Sequence, residues 1–213
     1  MLPIVLDLDG YRRPLSPVAR RLYADGRVNA LFVGRIIPNK RIEDLIGVFA
    51  LYQRHLEPRS RLLLVGDYRG HERYYDRLQE RVRKLGADEV VFTGHVDDDD
   101  LRAYYAAGDV FLCLSEHEGY CVPLLEAMAF GLPVIAYDAG AVAETLRGGG
   151  ILLREKRPEV VAELIGRVRE DHDLRAAVLR TQERALDSVR ALDFSALLRE
   201  HLAPLLGAPV PGR

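Results

Sequence analysis

The chain repeats one local pattern, in which short unbroken apolar runs alternate with longer stretches whose apolar residues recur every three or four positions. The run Ala30–Val33 leads through a glycine-containing turn to an amphipathic stretch over Arg41–His55. Arg61–Val65 precedes a helical pattern near Glu72–Lys84, and Glu89–Phe92 precedes one over Asp98–Ala106. Asp109–Leu114 comes before one near Val122–Phe130, and Pro133–Tyr137 before a short one at Ala141–Leu146. A last run, Gly150–Leu153, is followed by helical patterns near Pro158–Asp171, Asp173–Arg190 and Phe194–Leu206. Runs that are apolar throughout fit strands buried on both faces, and strands separated by helices fit a parallel sheet with crossovers. The pattern predicts an α/β fold: a single doubly wound, Rossmann-like domain of about six mostly parallel strands with helices on both faces. Residues 29–207 would form it. Residues 1–28, punctuated by Pro3, Pro14 and Pro17, read as an entry segment with one short helix over Ser16–Asp25, and 208–213 as a frayed tail.

Composition narrows the partners. A length of 213 residues allows one domain with appendages, and 48% hydrophobic with 29% charged residues fits a globular core rather than disorder. No apolar run has the length to cross a bilayer, and Met1-Leu2-Pro3 begins no secretory signal. Lys and Arg total 30 against 32 Asp and Glu, a net charge of −2 that argues against a nucleic-acid partner. Cys113 and Cys121 make no disulfide framework, which points to a reducing compartment. Lysine occurs only at Lys40, Lys84 and Lys156 in a chain otherwise given to arginine, which marks each for attention.

In a doubly wound sheet ligands bind at the carboxyl ends of the strands, so the strand-to-helix loops are where chemistry belongs. In the first loop, Gly34 lets the backbone turn close to a ligand. Arg35 offers a planar fork and Lys40 a point charge, a combination suited to a diphosphate. A solvated basic loop before a helix is the alternative that residue types leave open. In the fourth loop, Pro123 suits the first turn of a helix, whose free N–H groups can bind an anion. Glu118 lies in that loop and Glu126 one turn into the helix; a carboxylate accepts two hydrogen bonds side by side, as a vicinal diol requires. Alone, Glu118 would be an ordinary loop acid and Glu126 a first-turn acid balancing the helix dipole.

These loops resemble a known family. Ser115–Tyr120 leading to Glu126-Ala127-Met128-Ala129 and Gly131-Leu132-Pro133-Val134 resembles the Glu-x7-Glu signature of retaining GT-B glycosyltransferases of group 1 (family 4). Val33-Gly34-Arg35 with Lys40 resembles the family's diphosphate loop. Phe92-Thr93-Gly94 with Leu101–Val110 resembles its middle segment, and Gly140-Ala141-Val142-Ala143-Glu144 its loop after the fifth strand. The resemblance runs in order from about Leu31 to about Leu153, and Leu2-Pro3-Ile4 with Asp7 is similar to the linker between the family's two domains.

The resemblance implies a C-terminal, donor-binding domain, with an N-terminal acceptor-binding domain missing from this chain. Glu126 would bind the donor ribose and Glu118 the transferred sugar. The amides of Gly119, Tyr120, Cys121 and Val122 would lie by the phosphates, with Gly34, Gly140 and Glu144 lining the donor. Arg35 and Lys40 would stabilise the departing diphosphate, with no metal and no cofactor beyond a UDP-sugar or GDP-sugar. The family usually has Gly-Phe-Gly after the first Glu, where this chain has Gly119-Tyr120-Cys121, and Cys121 narrows the approach to the sugar. The Glu-Gly-aromatic-Cys variant favours GDP-mannose. Acceptors in this family are often lipid-linked or cell-envelope glycans, which implies a cytoplasmic enzyme of polysaccharide synthesis with peripheral contact at the inner face of the membrane.

Two other readings stand beside this one. The chain could be a non-catalytic subunit that holds a nucleotide sugar, or Asp7-Leu8-Asp9-Gly10 could mark a haloacid-dehalogenase-like phosphatase, although that motif wants Thr or Val where Tyr11 stands. Asp97–Asp100 reads as helix-capping acid, His95 and His117 lack the spacing of a metal pair, and no Gly-x-Gly-x-x-Gly follows the first strand. Cys113 reads as a small core residue, and Tyr104, Tyr105 and the Arg-rich stretch as surface and packing features.

Overall fold

The computed structural model describes residue 23 and residues 25–202. The entry segment up to residue 22, with Asp7 and Asp9, and the tail 208–213 lie outside the described residues. Six strands form one sheet: β1 (Val28–Val33), β2 (Ser60–Val65), β3 (Val90–Gly94), β4 (Val110–Cys113), β5 (Val134–Tyr137) and β6 (Ile151–Leu153). Their order is β3-β2-β1-β4-β5-β6, and every pairing is parallel. The sheet is thus wholly rather than mostly parallel.

Among the described residues, eight α-helices connect and follow the strands: α1 (Ile42–His55), α2 (Glu72–Leu85), α3 (Asp98–Ala107), α4 (Val122–Ala129), α5 (Val142–Leu146), α6 (Pro158–Glu170), α7 (His172–Arg190) and α8 (Phe194–Leu202). Strand side chains alternate between two cores, as the pleat demands. Ala30 and Phe32 of β1 pack with Leu45 and Phe49 of α1 and Ile165 of α6. Leu31, between them in sequence, packs on the other face with Leu125 of α4 and Leu186 of α7. Helices on both faces explain why the four inner strands are apolar at nearly every position. The edge strands differ: β3 is half-buried throughout, and Leu152 of β6 is exposed, because each lacks a neighbour on one side.

β1 and β2 begin earlier than hydrophobicity suggests, because polar residues at their starts are buried in partnerships. Asn29 is 2% exposed; its N–H donates to Asp109 Oδ2 at 2.8 Å and its amide to the Ala107 carbonyl at 2.9 Å. Arg61 donates to Asp25 at 2.7 Å and to Glu89 at 3.1 Å, with its guanidinium 4.9 Å from the Tyr23 ring centroid. The hydrogen bond from Arg61 holds the Asp25 carboxyl down at about 2. These contacts anchor the amino ends of the strands, away from the site. Asp97 caps α3 by accepting from the Asp100 N–H at 2.8 Å, so the acidic run is a helix start, as its composition predicts.

At the carboxyl ends the backbone is drawn tight. Gly34 leaves β1 with its N–H on the Val65 carbonyl at 2.9 Å, and Gly66 sits directly beneath it. A Cβ on Gly66 would lie 1.9 Å from the Gly34 carbonyl oxygen, at a φ of +152°. Gly66→Ala therefore has to separate the first two loops. The expected outcome is a loss of about 2 kcal/mol or more in urea unfolding, whereas Gly70→Ala, where a Cβ meets open space, costs less.

Candidate functional site

Crossovers from β1 and β4 leave toward opposite faces, which opens a crevice between their carboxyl ends. The loop after β1 ends in a 3-10 turn over Pro38–Lys40, closed by Arg41 in the left-handed region at φ 52°. This turn meets the loop after β4. The Glu116 N–H donates to the Asn39 carbonyl at 2.9 Å, and the Asn39 amide donates to the His117 carbonyl at 3.2 Å. Beside these contacts Lys40 Nζ donates to both oxygens of Glu118, at 2.7 and 2.6 Å. The Glu118 side chain is only 5% exposed and that of Lys40 18%, so each charge depends on the other for what water would otherwise provide.

The loop after β5 closes on the same glutamate. Gly140 adopts φ +58°, and a Cβ there would stand 2.4 Å from the Glu118 carbonyl oxygen, so only glycine fits. That carbonyl accepts from the Ala141 N–H at 3.0 Å, and the Thr145 hydroxyl donates to the Tyr120 carbonyl.

Cys121 then begins α4 from the left-handed region, with φ and ψ both 57° and Pro123 in the first turn. A side chain in that conformation costs about 1–2 kcal/mol, which the glycine common in the family would avoid. The N–H groups of the first turn of a helix lack intrahelical partners and face the loop. Farther along α4, Glu126 Oε2 accepts from the Tyr105 hydroxyl at 2.6 Å. The Tyr105 ring stacks on Phe130 at 5.2 Å, so a buried tyrosine of α3 sets the direction of that carboxylate.

Behind the loop lies a second cation. Lys156, which follows β6, donates to Asp44 at 2.9 Å, Glu116 at 3.2 Å and the Leu114 carbonyl at 3.3 Å, with its ammonium 4.8 Å from the Tyr137 ring centroid. Arg41 Nε reaches the same two acids at 3.2 and 3.3 Å. Burial works to raise the Asp44 carboxyl, but hydrogen bonds from Lys156 and Arg41 outweigh it and hold that carboxyl below the ordinary range.

The structure thus joins Lys40, Glu118 and Gly140 by direct contact, with Gly119, Tyr120, Cys121 and Val122 continuous with them. Gly34 forms the base of the first loop. Arg35 is exposed, and its guanidinium meets no acidic partner among the described residues; Glu144 is exposed at the start of α5. Sequence reasoning missed three participants. Tyr105 reads as packing until its hydroxyl is seen on Glu126. Lys156 was signalled only by the scarcity of lysine. Cys113 is buried as expected, but its sulfur lies 3.8 Å from Glu118 Oε1 and 3.9 Å from the Cys121 sulfur. These three groups could in principle present donor atoms to one metal ion, since all lie within 4.8 Å of one another, but an ion would have to displace Lys40 from Glu118.

A wholly parallel, doubly wound sheet with its polar side chains at the switch point defines a Rossmann-like α/β domain. The chain matches the family model of the glycosyl transferases group 1 over residues 20–184, and it belongs to that family. It is 37% identical over 153 residues to a GDP-mannose-dependent alpha-mannosyltransferase of Mycobacterium tuberculosis, covering 68% of this chain and 36% of that protein. It is 31% identical over 138 residues to O-antigen chain mannosyltransferase B of Escherichia coli, covering 64% of this chain and 35% of that one. Among solved structures, HepE of Anabaena in complex with UDP and glucose superposes with a TM-score of 0.76 at 26% identity, over 96% of this chain and 55% of that one. The C-terminal domain of LpcC, a glycosyl transferase group 1 family protein of Francisella tularensis, shares the fold, with a TM-score of 0.72 over 86% of this chain and 97% of that one. The chain spans about a third of the length of these two mannosyltransferases. No helix among the described residues is long and apolar enough to cross a membrane.

Two outcomes are expected. Lys40→Ala strands a buried carboxylate and lowers the unfolding free energy by about 3 kcal/mol, and adding Glu118→Gln restores part of it, both read by urea denaturation. The Asp44 carboxyl is depressed in the folded chain, so its contribution to stability is fully present above its unfolded value near 3.8 and is lost as pH falls through the folded one. The stability difference between wild type and Asp44→Asn should therefore be flat from pH 5 to 7 and shrink below about pH 4, as measured by denaturation at each pH.

Proposed function

We propose that this chain is the donor-binding half of a retaining glycosyltransferase that takes a sugar from a nucleoside diphosphate. The observation that carries the reading is the convergence of the Lys40 turn, Glu118 and the start of α4 at the switch between β1 and β4. Supporting it are the family membership, the GDP-mannose dependence named for the mycobacterial relative and the UDP and glucose named for HepE. Between these donors we favour GDP-mannose, from the mannosyltransferase names among the relatives.

The chemistry follows from the geometry. Lys40 and Glu118 satisfy one another, each offering what a nucleotide sugar would also offer. A donor seated between them gives its hydroxyls to Glu118 and its diphosphate to Lys40, so both charges stay partnered during the exchange. Glu126, aimed by Tyr105, accepts the ribose hydroxyls. The amides of Gly119 to Val122 and the helix start meet the phosphates, with Gly34 and Gly140 allowing backbone approach and Glu144 at the rim. Arg35, exposed at the mouth, joins Lys40 as negative charge builds on the leaving diphosphate. The two cations supply charge that a metal would bring elsewhere. The anomeric bond breaks while the sugar is held by Glu118 on one face, which suits retention. The acceptor, a cell-envelope or lipid-linked glycan at the cytoplasmic membrane face, would be held by a separate domain that precedes this one, with the first 28 residues as the linker.

Titration calorimetry with GDP-mannose, UDP-glucose and the bare diphosphates tests the reading, and no binding at millimolar concentration by any of them would end it. Glu126→Ala should weaken nucleotide-sugar binding by about 10- to 100-fold, as loss of charged hydrogen bonds does. Tyr105→Phe, which keeps the ring but not its hydrogen bond, should weaken it by about 5-fold.

A further inference from the structure

We propose that Cys113 and Cys121 form an oxidisable pair whose disulfide shuts the donor site. The proposal rests on the donor-binding reading, and it gives that site a regulation. The two sulfurs are 3.9 Å apart across the ends of a nine-residue segment that carries Glu118. Cys113 is the last residue of β4 and 1% exposed, so the sheet holds it still. Cys121 is half-buried, begins α4, and already sits in the left-handed region that side chains avoid. Glu118 Oε1, which accepts from the Lys40 ammonium at 2.7 Å, lies 3.8 Å from the Cys113 sulfur.

The step balances with a hydroperoxide as oxidant. One of the two sulfurs takes one oxygen to become a sulfenic acid, and the peroxide leaves as the alcohol, or as water from hydrogen peroxide. The other then attacks that sulfur as thiolate, its proton joins the departing hydroxide, and water leaves as the disulfide forms. Two thiols lose two electrons, and the peroxide gains them. A disulfide needs the sulfurs at about 2.05 Å, so the gap must close by nearly half. Because β4 is fixed, the start of α4 does the moving. It draws in the amides of Gly119 to Val122 and crowds the space between Lys40 and Glu118 into which the donor must fit.

The test pairs a mass readout with a binding readout on the full chain. After hydrogen peroxide treatment and alkylation under denaturing conditions, a peptide spanning both cysteines should be about 2 Da lighter and unalkylated, and dithiothreitol should reverse this. GDP-mannose or UDP-glucose, whichever the reduced protein binds, should bind the oxidised protein at least 10-fold more weakly and recover on reduction. Cys113→Ser should show neither the mass loss nor the oxidant-dependent change in affinity. If the wild-type protein forms no internal disulfide, the pair is not oxidisable and the proposal fails. Formation of the disulfide with unchanged affinity overturns the switch. Absence of donor binding by the reduced protein overturns the donor reading and the regulation with it, while the mass shift still decides whether the pair oxidises.

Discussion

The ion pair between Lys40 and Glu118 is the constraint on which the site depends. Its members come from loops on either side of the switch between β1 and β4, so holding them together fixes the width of the crevice. A buried carboxylate without its cation would be costly, and a cation alone would draw the first loop out to water. Both oxygens of Glu118 are engaged, which fixes the carboxylate plane as well as its position. The pair is weak evidence for stability, since an apolar pair of similar volume could pack as well. It fits better as a stored polar arrangement that a polar ligand can take over without exposing either charge.

Around this pair the fold spends its exceptions. Gly66 lies under the first loop at a contact no side chain could make, and Gly140 presses on the backbone of Glu118. Lys156 and Arg41 tie the far side of the second loop to Asp44 at the start of α1. Cys121 keeps a strained conformation where the family usually has glycine. Comparable positions lie elsewhere, at Glu89 and Arg147 with positive φ and at Gly150, where a Cβ would stand 2.9 Å from the Val134 carbonyl oxygen. What sets Gly140 and Cys121 apart is that both hold the backbone on either side of Glu118.

Most of the fold was legible because each strand buried on two faces leaves an unbroken apolar run, and each covering helix leaves a periodic one. The start of β1 was not, because Asn29 looks like a loop residue until Asp109 is brought beside it, and Arg61, already at the head of the second run, meets its partners Asp25 and Glu89 only through tertiary structure. The site divides in the same way. Gly34, Lys40, Glu118, Glu126 and Gly140 stand in local motifs whose spacing survives in a linear reading. Tyr105 could not be read, since its meaning lies in a bond to a residue 21 positions away on another helix. Lys156 is 112 positions from Asp44, and only a rare residue type drew notice to it.

The closeness of the two cysteines to Glu118 also bears on how the site can tolerate a residue that narrows it. With glycine at the start of α4 the helix amides would be open to a phosphate, and Cys121 gives up some of that space. Its sulfur packs against Cys113, 3.9 Å away, beside the Ser115 hydroxyl that lies 3.5 Å from the Cys113 sulfur. The thiol packs against the second core, of which Leu125 and Met128 are members. Met128 lies in that core one helical turn beyond Leu125, so a shift of the Cys121 sulfur toward β4 would act through packed side chains on the same helix that carries Glu126. The core that supports the carboxylates and the pair that can be cross-linked are in this sense one packing unit, which is why a covalent change of two atoms between β4 and α4 would be felt at both glutamates.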